Sequence, residues 1–211
     1  MLLKYGWSPS LASESAHTRP VQATVPKDQV DVQDIQESLN GSGDAYARLI
    51  ERYQNTMAAR MWRFTRDHTE HQELVQEVFV QAYISLASYR GDAPFAHWLA
   101  RIATNVGYKY WKQRSLERSR RMVPVEDLDK ILSVEPEDLS PTEAAETLHK
   151  LLEQLPPRDR LVLMLRYIEE RSIEETAQLT GWTQSMVKVQ AWRGRKKLKK
   201  LVLQAGLEVD K

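Results

Sequence analysis

The chain has 211 residues, 28% charged and 42% hydrophobic, with a net charge of +1 and no cysteine. That length suits one large domain or two small ones, and the lack of cysteine excludes disulfides and thiolate metal sites. No apolar run approaches the roughly 20 residues of a membrane span, and the polar N-terminus carries no secretion signal, so a cytoplasmic protein without membrane insertion is expected. Residues 1–27 mix Ser, Pro, Ala and Thr without helical period and read as a disordered tail. From Asp28 the pattern turns helical, with Val32, Ile35 and Leu39 marking a short helix that Asn40-Gly41-Ser42-Gly43 stops. A second helix is predicted from Asp44 to about Arg66, a third from near Thr69 to near Tyr89, and a fourth from Pro94 past Trp111. Residues 116–139, acidic and broken by Pro124 and Pro136, read as a linker. Ser140-Pro141-Thr142-Glu143 then combines an N-cap, a first-turn proline and a capping-box glutamate ahead of a helix to Leu155. Pro157 opens the next helix, to about Glu169. A second capping box, Ser172 to Glu175, opens a short helix to about Leu179. Gly181 ends that helix, and Thr183 caps the last one, to about Leu203. The predicted fold is all-α. Two small helical domains, a bundle over 28–115 and a helix-turn-helix over 140–205, are joined by the flexible acidic linker.

The near-zero net charge hides a sorted one. Arg101, Lys109, Lys112, Arg114, Arg118, Arg120 and Arg121 form one basic stretch, and Lys188 to Lys200 forms another. Acidic residues concentrate between them. Two basic patches suit a polyanion touched at two places, although each can equally be a solvated helix face.

The last predicted helix makes the sharper case. Val187, Ala191, Gly194 and Leu198 form a narrow stripe that can pack on the preceding helix, while Ser185, Lys188, Val189, Trp192 and Lys196 lie opposite. A short helix, a glycine turn and a basic helix of this kind place the N-terminal half of the second helix in a DNA major groove. Arg193, Arg195 and Lys197 then offer charge to phosphates. The fourth helix divides similarly. Phe95, Leu99, Ile102, Ala103, Val106 and Tyr110 face the core, and Arg101, Asn105, Tyr108 and Lys112 face out. Cations, an amide and a ring on one face suit single-stranded nucleic acid, or form an ordinary polar face. Trp98 and Trp111 border the two faces and read as core-edge packers. On the third helix Leu74, Val75, Val78, Phe79, Ala82 and Leu86 make a wide apolar band, with Glu73, Gln76 and Glu77 outside it. That outer face is either solvent-exposed or a docking face.

Three runs together resemble extracytoplasmic-function sigma factors of the sigma-70 family. They are Glu73-Leu74-Val75-Gln76-Glu77-Val78-Phe79, Phe95-Ala96-His97-Trp98-Leu99-Ala100-Arg101-Ile102-Ala103-Thr104-Asn105, and Leu155-Pro156-Pro157-Arg158-Asp159-Arg160 with the helix-turn-helix after it. The resemblance spans roughly residues 30–203. It implies a factor that binds core RNA polymerase and directs promoter-specific initiation. Glu73, Leu74, Gln76, Glu77 and Phe79 would meet the β′ clamp helices. Arg90, Asp92, Arg101, Asn105, Tyr108, Lys109 and Lys112 would hold the melted −10 element, with Asn105 at the position that helps hold a flipped base. Thr183, Ser185, Lys188, Val189, Gln190, Trp192, Arg193 and Lys196 would read the duplex −35 element, and the second domain would meet the β flap. An anti-sigma factor is a further implied partner. Trp182 replaces the family's usual aliphatic residue, and Val189-Gln190 replaces its common Ser-Arg. Those departures bear on −35 preference.

No catalytic residue, cofactor or metal is expected, and His68 with His71 reads as a loop or helix-start pair. The polymerase would supply the chemistry. The competing reading is a free-standing helix-turn-helix regulator that binds operator DNA without core polymerase.

Overall fold

The computed structural model describes residues 27–120 and 141–206. The expectations of a disordered tail, an N-cap at Ser140 and most of the flexible acidic linker lie outside those residues; positions 116–120, expected as the start of the linker, are instead helical and continue the helix before them. The described residues are helical, without strands. They form α1 (Lys27–Leu39), α2 (Gly43–Met61), α3 (His68–Ser85) with a 3-10 turn Leu86–Ser88, and α4 (Phe95–Arg120). After the linker come α5 (Pro141–Glu153), α6 (Pro157–Leu163), α7 (Ile173–Thr180) and α8 (Gln184–Gln204).

The apolar stripe expected on α1 is not what buries it. Val32 and Leu39 are exposed, and of the three apolar markers only Ile35 is buried. The inner face carries Asp31, Asp34 and Ser38 instead. Arg52 bonds Asp31 at 2.5 Å and Asp34 at 2.6 Å, Arg48 bonds Asp34, and the Tyr53 hydroxyl donates to Asp31. Buried carboxylates hold here because cations and a hydroxyl from α2 satisfy them.

α2 ends at Met61, about one turn before the expected Arg66. Beyond it the chain turns so that Phe64 is buried against α4. The Phe64 carbonyl accepts the Trp111 indole N–H at 2.7 Å, and its ring lies where a side chain on Gly107 would stand. A continued helix would carry Phe64 away from both partners. Asp67 then caps α3 by accepting from the Glu70 amide. His71 is buried, stacks on Trp62 at 3.8 Å and bonds the Ala58 carbonyl at 2.8 Å. Its ring therefore ties α3 to α2.

The C-terminal signals are realised atom by atom. The Ser172–Glu175 capping box is formed in both directions. Gly181 ends α7 at φ 73°, a left-handed value that favours glycine. The Thr183 hydroxyl accepts from the Met186 amide to start α8. Beyond α6 the helical path runs on to Ile168, close to the expected end, with Met164–Ile168 as a π turn.

Where the sequence predicts two domains, the described helices pack as one body. Leu161, Met164 and Leu165 of the second half join the apolar cluster of Leu99, Val106 and Trp111. α4 is the seam, touching both α6 and α7.

Candidate nucleic-acid interface

α8 crosses α6 closely because its buried stripe is small. Val187, Ala191 and Gly194 face inward, and a methyl added at Gly194 would stand 3.1 Å from the Leu163 side chain. Close crossing fixes which residues face out. Ser185, Lys188, Val189, Trp192 and Lys196 are all exposed, as the wheel predicts, and so are Thr183 and Arg193. Trp192 is 57% exposed, and the Lys196 ammonium stands 5.5 Å from its ring centroid. A large exposed ring beside cations is an unusual surface for a folded helix and a suitable one for bases and phosphates.

Two polar residues of α8 are tied to α6 instead. Asp159, fully buried in the first turn of α6, accepts from the Gln190 amide and binds Lys197 at 2.5 Å. Gln190, expected to read DNA, is half-buried and held by this carboxylate. Lys197 likewise spends its charge on Asp159, and Arg195 bonds the Tyr167 hydroxyl at 3.0 Å. Arg193 is exposed with its charge available to a phosphate. Asp159 stands in the Leu155–Arg160 run without a role assigned from sequence, because an acidic first-turn residue ordinarily serves its own helix terminus.

On α4 the expected core face is inward, with Phe95, Leu99, Ala103 and Val106 buried and Ile102 and Tyr110 packed against the same cluster. Arg101, Asn105, Lys109 and Lys112 are exposed, and Tyr108 is half-buried. Trp98 packs with Phe95 and Tyr89, while Trp111 is only 4% exposed and belongs to the core outright. The Arg160 guanidinium lies 3.9 Å above the Trp111 ring. Burial lowers the Arg160 pKa to about 10, against the pull of Glu153. In the loop before α4, the Tyr89 hydroxyl donates to the Ala93 carbonyl at 2.7 Å. This closes a turn that presents Arg90 and Asp92 to solvent. Tyr110 reaches Glu70 on α3, and burial first, then that hydrogen bond, raises its pKa.

The third face lies on α2 and α3. Glu73, Gln76 and Glu77 are exposed, whereas Leu74 and Phe79 are buried. Beside Gln76 runs an apolar groove of about 730 Å³, lined among others by Tyr46, Val75, Phe79, Val80, Tyr83 and Ile84. Val80, Tyr83 and Ile84 are 43%, 55% and 68% exposed. Exposed apolar side chains in a row, next to an amide and carboxylates, have the composition of surfaces on which partners dock. Val80, Tyr83 and Ile84 lie outside the apolar band that periodicity marks on α3, whose members Leu74, Val78, Phe79, Ala82 and Leu86 are buried. Among the described residues no group of His, Asp or Glu is arranged to hold a metal ion, and no helix is long and apolar enough to cross a membrane.

Comparison with known proteins gives these three faces a family. The sequence matches sigma-70 region 2 over residues 49–117 and sigma-70 region 4 over residues 137–198. It is similar to the ECF RNA polymerase sigma factor SigW of Bacillus subtilis, 28% identical over 182 residues covering 79% of this chain and 93% of that one. It is similar also to the ECF RNA polymerase sigma-E factor of Escherichia coli, 30% identical over 181 residues covering 80% and 90%. The fold resembles that of CnrH, solved in complex with the cytosolic domain of CnrY, with a TM-score of 0.51, 24% identity and coverage of 83% and 96%. The α4 face and most of the apolar groove fall within the matched region 2 and most of α8 within region 4, and this chain belongs to the extracytoplasmic-function sigma factors of the sigma-70 family.

Proposed function

We propose that this RNA polymerase-binding sigma factor divides promoter recognition between two chemically different faces. α8 takes duplex DNA of the −35 element through Thr183, Ser185, Lys188, Val189, Trp192, Arg193 and Lys196. α4 and the loop before it take the melted −10 strand through Arg90, Asp92, Arg101, Asn105, Tyr108, Lys109 and Lys112. The observation that carries the reading is this contrast. α8 offers a convex, cation-rich helix face of the width a major groove admits. α4 offers an amide, a ring and cations in line, which suit unstacked bases.

Core polymerase docks on α3, with Glu73, Gln76 and Glu77 around the apolar groove. Leu74 and Phe79 support that face from beneath. The β flap would meet the second half of the chain, and an anti-sigma factor would compete for these surfaces. The factor works in the cytoplasm, where the polymerase is, and uses no cofactor of its own. Its contribution to DNA opening is binding energy. A face that prefers an extruded base over a paired one shifts the duplex toward the melted state. A free-standing regulator would leave the groove on α2 and α3 without a use.

Run-off transcription with core polymerase tests the reading. Adding the protein should create promoter-specific transcripts absent from core alone. Glu77→Lys in the docking face should abolish them. Tight operator binding with no effect on core polymerase would contradict the proposal.

A further inference from the structure

α8 is dense in Lys and Arg and carries no acidic residue of its own. A helix so charged binds any duplex through its phosphates, whatever the sequence. The structure withdraws part of that charge. Asp159, fully buried in the first turn of α6, binds the Lys197 ammonium at 2.5 Å through Oδ2. Its Oδ1 accepts from the Gln190 side-chain amide. Among the described residues this is the one ion pair that an α8 cation makes.

The carboxylate stands where the two helices cross. A methyl added at Gly194 would lie 3.4 Å from the Asp159 carbonyl oxygen, so the backbones come close there. Gln190 is one turn before Gly194 and Lys197 one turn after it, on one edge of α8. Asp159 thus holds α8 on both sides of its closest approach. The ion pair is unequal in solvent: the Asp159 side chain is 0% exposed and that of Lys197 49%. A buried carboxylate left without a cation is costly, so Asp159 holds Lys197 firmly, whereas an exposed lysine alone extends into water. Arg193, one turn earlier on the same flank of α8, is exposed.

We propose that Asp159 is a positioning residue for −35 recognition: it keeps Lys197 off the DNA phosphates and fixes α8 on α6, so that base contacts more than charge decide which duplex is held. The inference rests on the −35 reading of α8 given above. Asp159 itself touches no DNA. It acts through Lys197, whose charge it neutralises, and through Gln190, which it ties down. Phosphate contacts add affinity to every sequence alike, and base contacts separate one sequence from another. Withholding one phosphate contact therefore lowers binding to unrelated DNA and leaves Lys188, Val189 and Trp192 free to read.

Salt dependence of duplex binding by the full chain tests it. A pool of short duplexes, randomised at the centre, is first enriched on the wild-type protein. The enriched sequence and a scrambled duplex of the same composition then serve as probes. Asp159→Asn removes the charge and keeps an oxygen for Gln190. Asp159→Leu removes both and strands no buried charge, since Lys197 can swing into water. Both variants should bind the scrambled duplex more tightly at low salt. Their log–log salt slope should steepen by about 0.9 on either probe, which makes the affinity lost between about 50 and about 200 mM salt roughly 3.5-fold larger. Adding Lys197→Gln to either variant should restore the wild-type slope. Asp159→Leu, with both ties cut, should also lose preference for the enriched sequence. A role in folding alone would weaken binding without steepening the slope. An unchanged slope in variants whose circular dichroism matches the wild type overturns the proposal, and so does a steeper slope that survives Lys197→Gln. Lysine acetylation by a small anhydride needs no variant: Lys197 should react more slowly than Lys188 and Lys199, and equal rates overturn the pairing. Failure of the wild-type protein to enrich any sequence would overturn the −35 reading of α8 itself, while the slope still decides whether Asp159 withholds Lys197.

Discussion

Asp34 shows how single side chains hold this molecule together. Its side chain is 4% exposed and carries α1 on the guanidinium groups of Arg48 and Arg52. Burial raises its pKa, yet hydrogen bonds from Arg52 and Arg48 win and hold the carboxyl below its ordinary value of 3.8. The stability this contributes is therefore present above about pH 3.8 and lost as pH falls through the lower folded value. Asp34→Ala should cost about 2 kcal/mol in urea unfolding at neutral pH, the scale of hydrogen bonds to a charged group. It should also flatten the acid limb of the stability profile. His149 offers a milder switch. Burial first, then the Arg160 charge, depresses its pKa below 6.5. Stability from the neutral ring is present above pH 6.5 and falls away as pH drops below it, and His149→Gln should remove that slope. Gly107→Ala tests packing alone. Its methyl would overlap the Phe64 ring, and unfolding should become easier by about 2 kcal/mol, as for other overpacked cores.

At the scale of elements, local chemistry was legible wherever it is local. The capping box at Ser172, the left-handed Gly181 and the Thr183 cap each follow from neighbouring residues, and each is formed. The wheel of α8 sorted Val187 from Lys188 correctly because its crossing with α6 uses small residues. α1 was misjudged in its buried face, since apolar periodicity is blind to carboxylates whose partners lie on another helix. The end of α2 was misjudged for the same reason: Trp111, distant in sequence, takes the Phe64 carbonyl. Gln190 illustrates the limit at the interface. Its position on the wheel suits reading, but buried Asp159 holds its amide. Ser172→Ala should destabilise the second half by about 1 kcal/mol, measured by its unfolding, with −35 binding weakened as α7 frays. Lys188→Ala should lower the salt dependence of duplex binding by about 0.9 in log–log slope. Trp192→Ala should instead weaken discrimination between sequences and leave that slope unchanged.

At the scale of the molecule, charge sorting and motif order announced two nucleic-acid faces and a docking helix. They did not announce that the two halves would pack as one body. Leu161, Met164 and Leu165 read as the core of their own small domain, and nothing in their spacing says that α4 shares them. Trp182 was visible as a departure from the family, but what it touches, Tyr108 and Arg158, depends on how two distant segments meet. The central claim is that α4 opens promoter DNA by binding, with polymerase as its platform. Permanganate reactivity of thymines on a cognate promoter measures that opening directly. Core polymerase with this protein should make a short run of −10 thymines reactive. Neither component alone should do so. Asn105→Ala should lose the reactivity while still binding core polymerase. Full opening by the Asn105→Ala protein together with the Tyr108→Ala protein, each at wild-type level, would contradict the account.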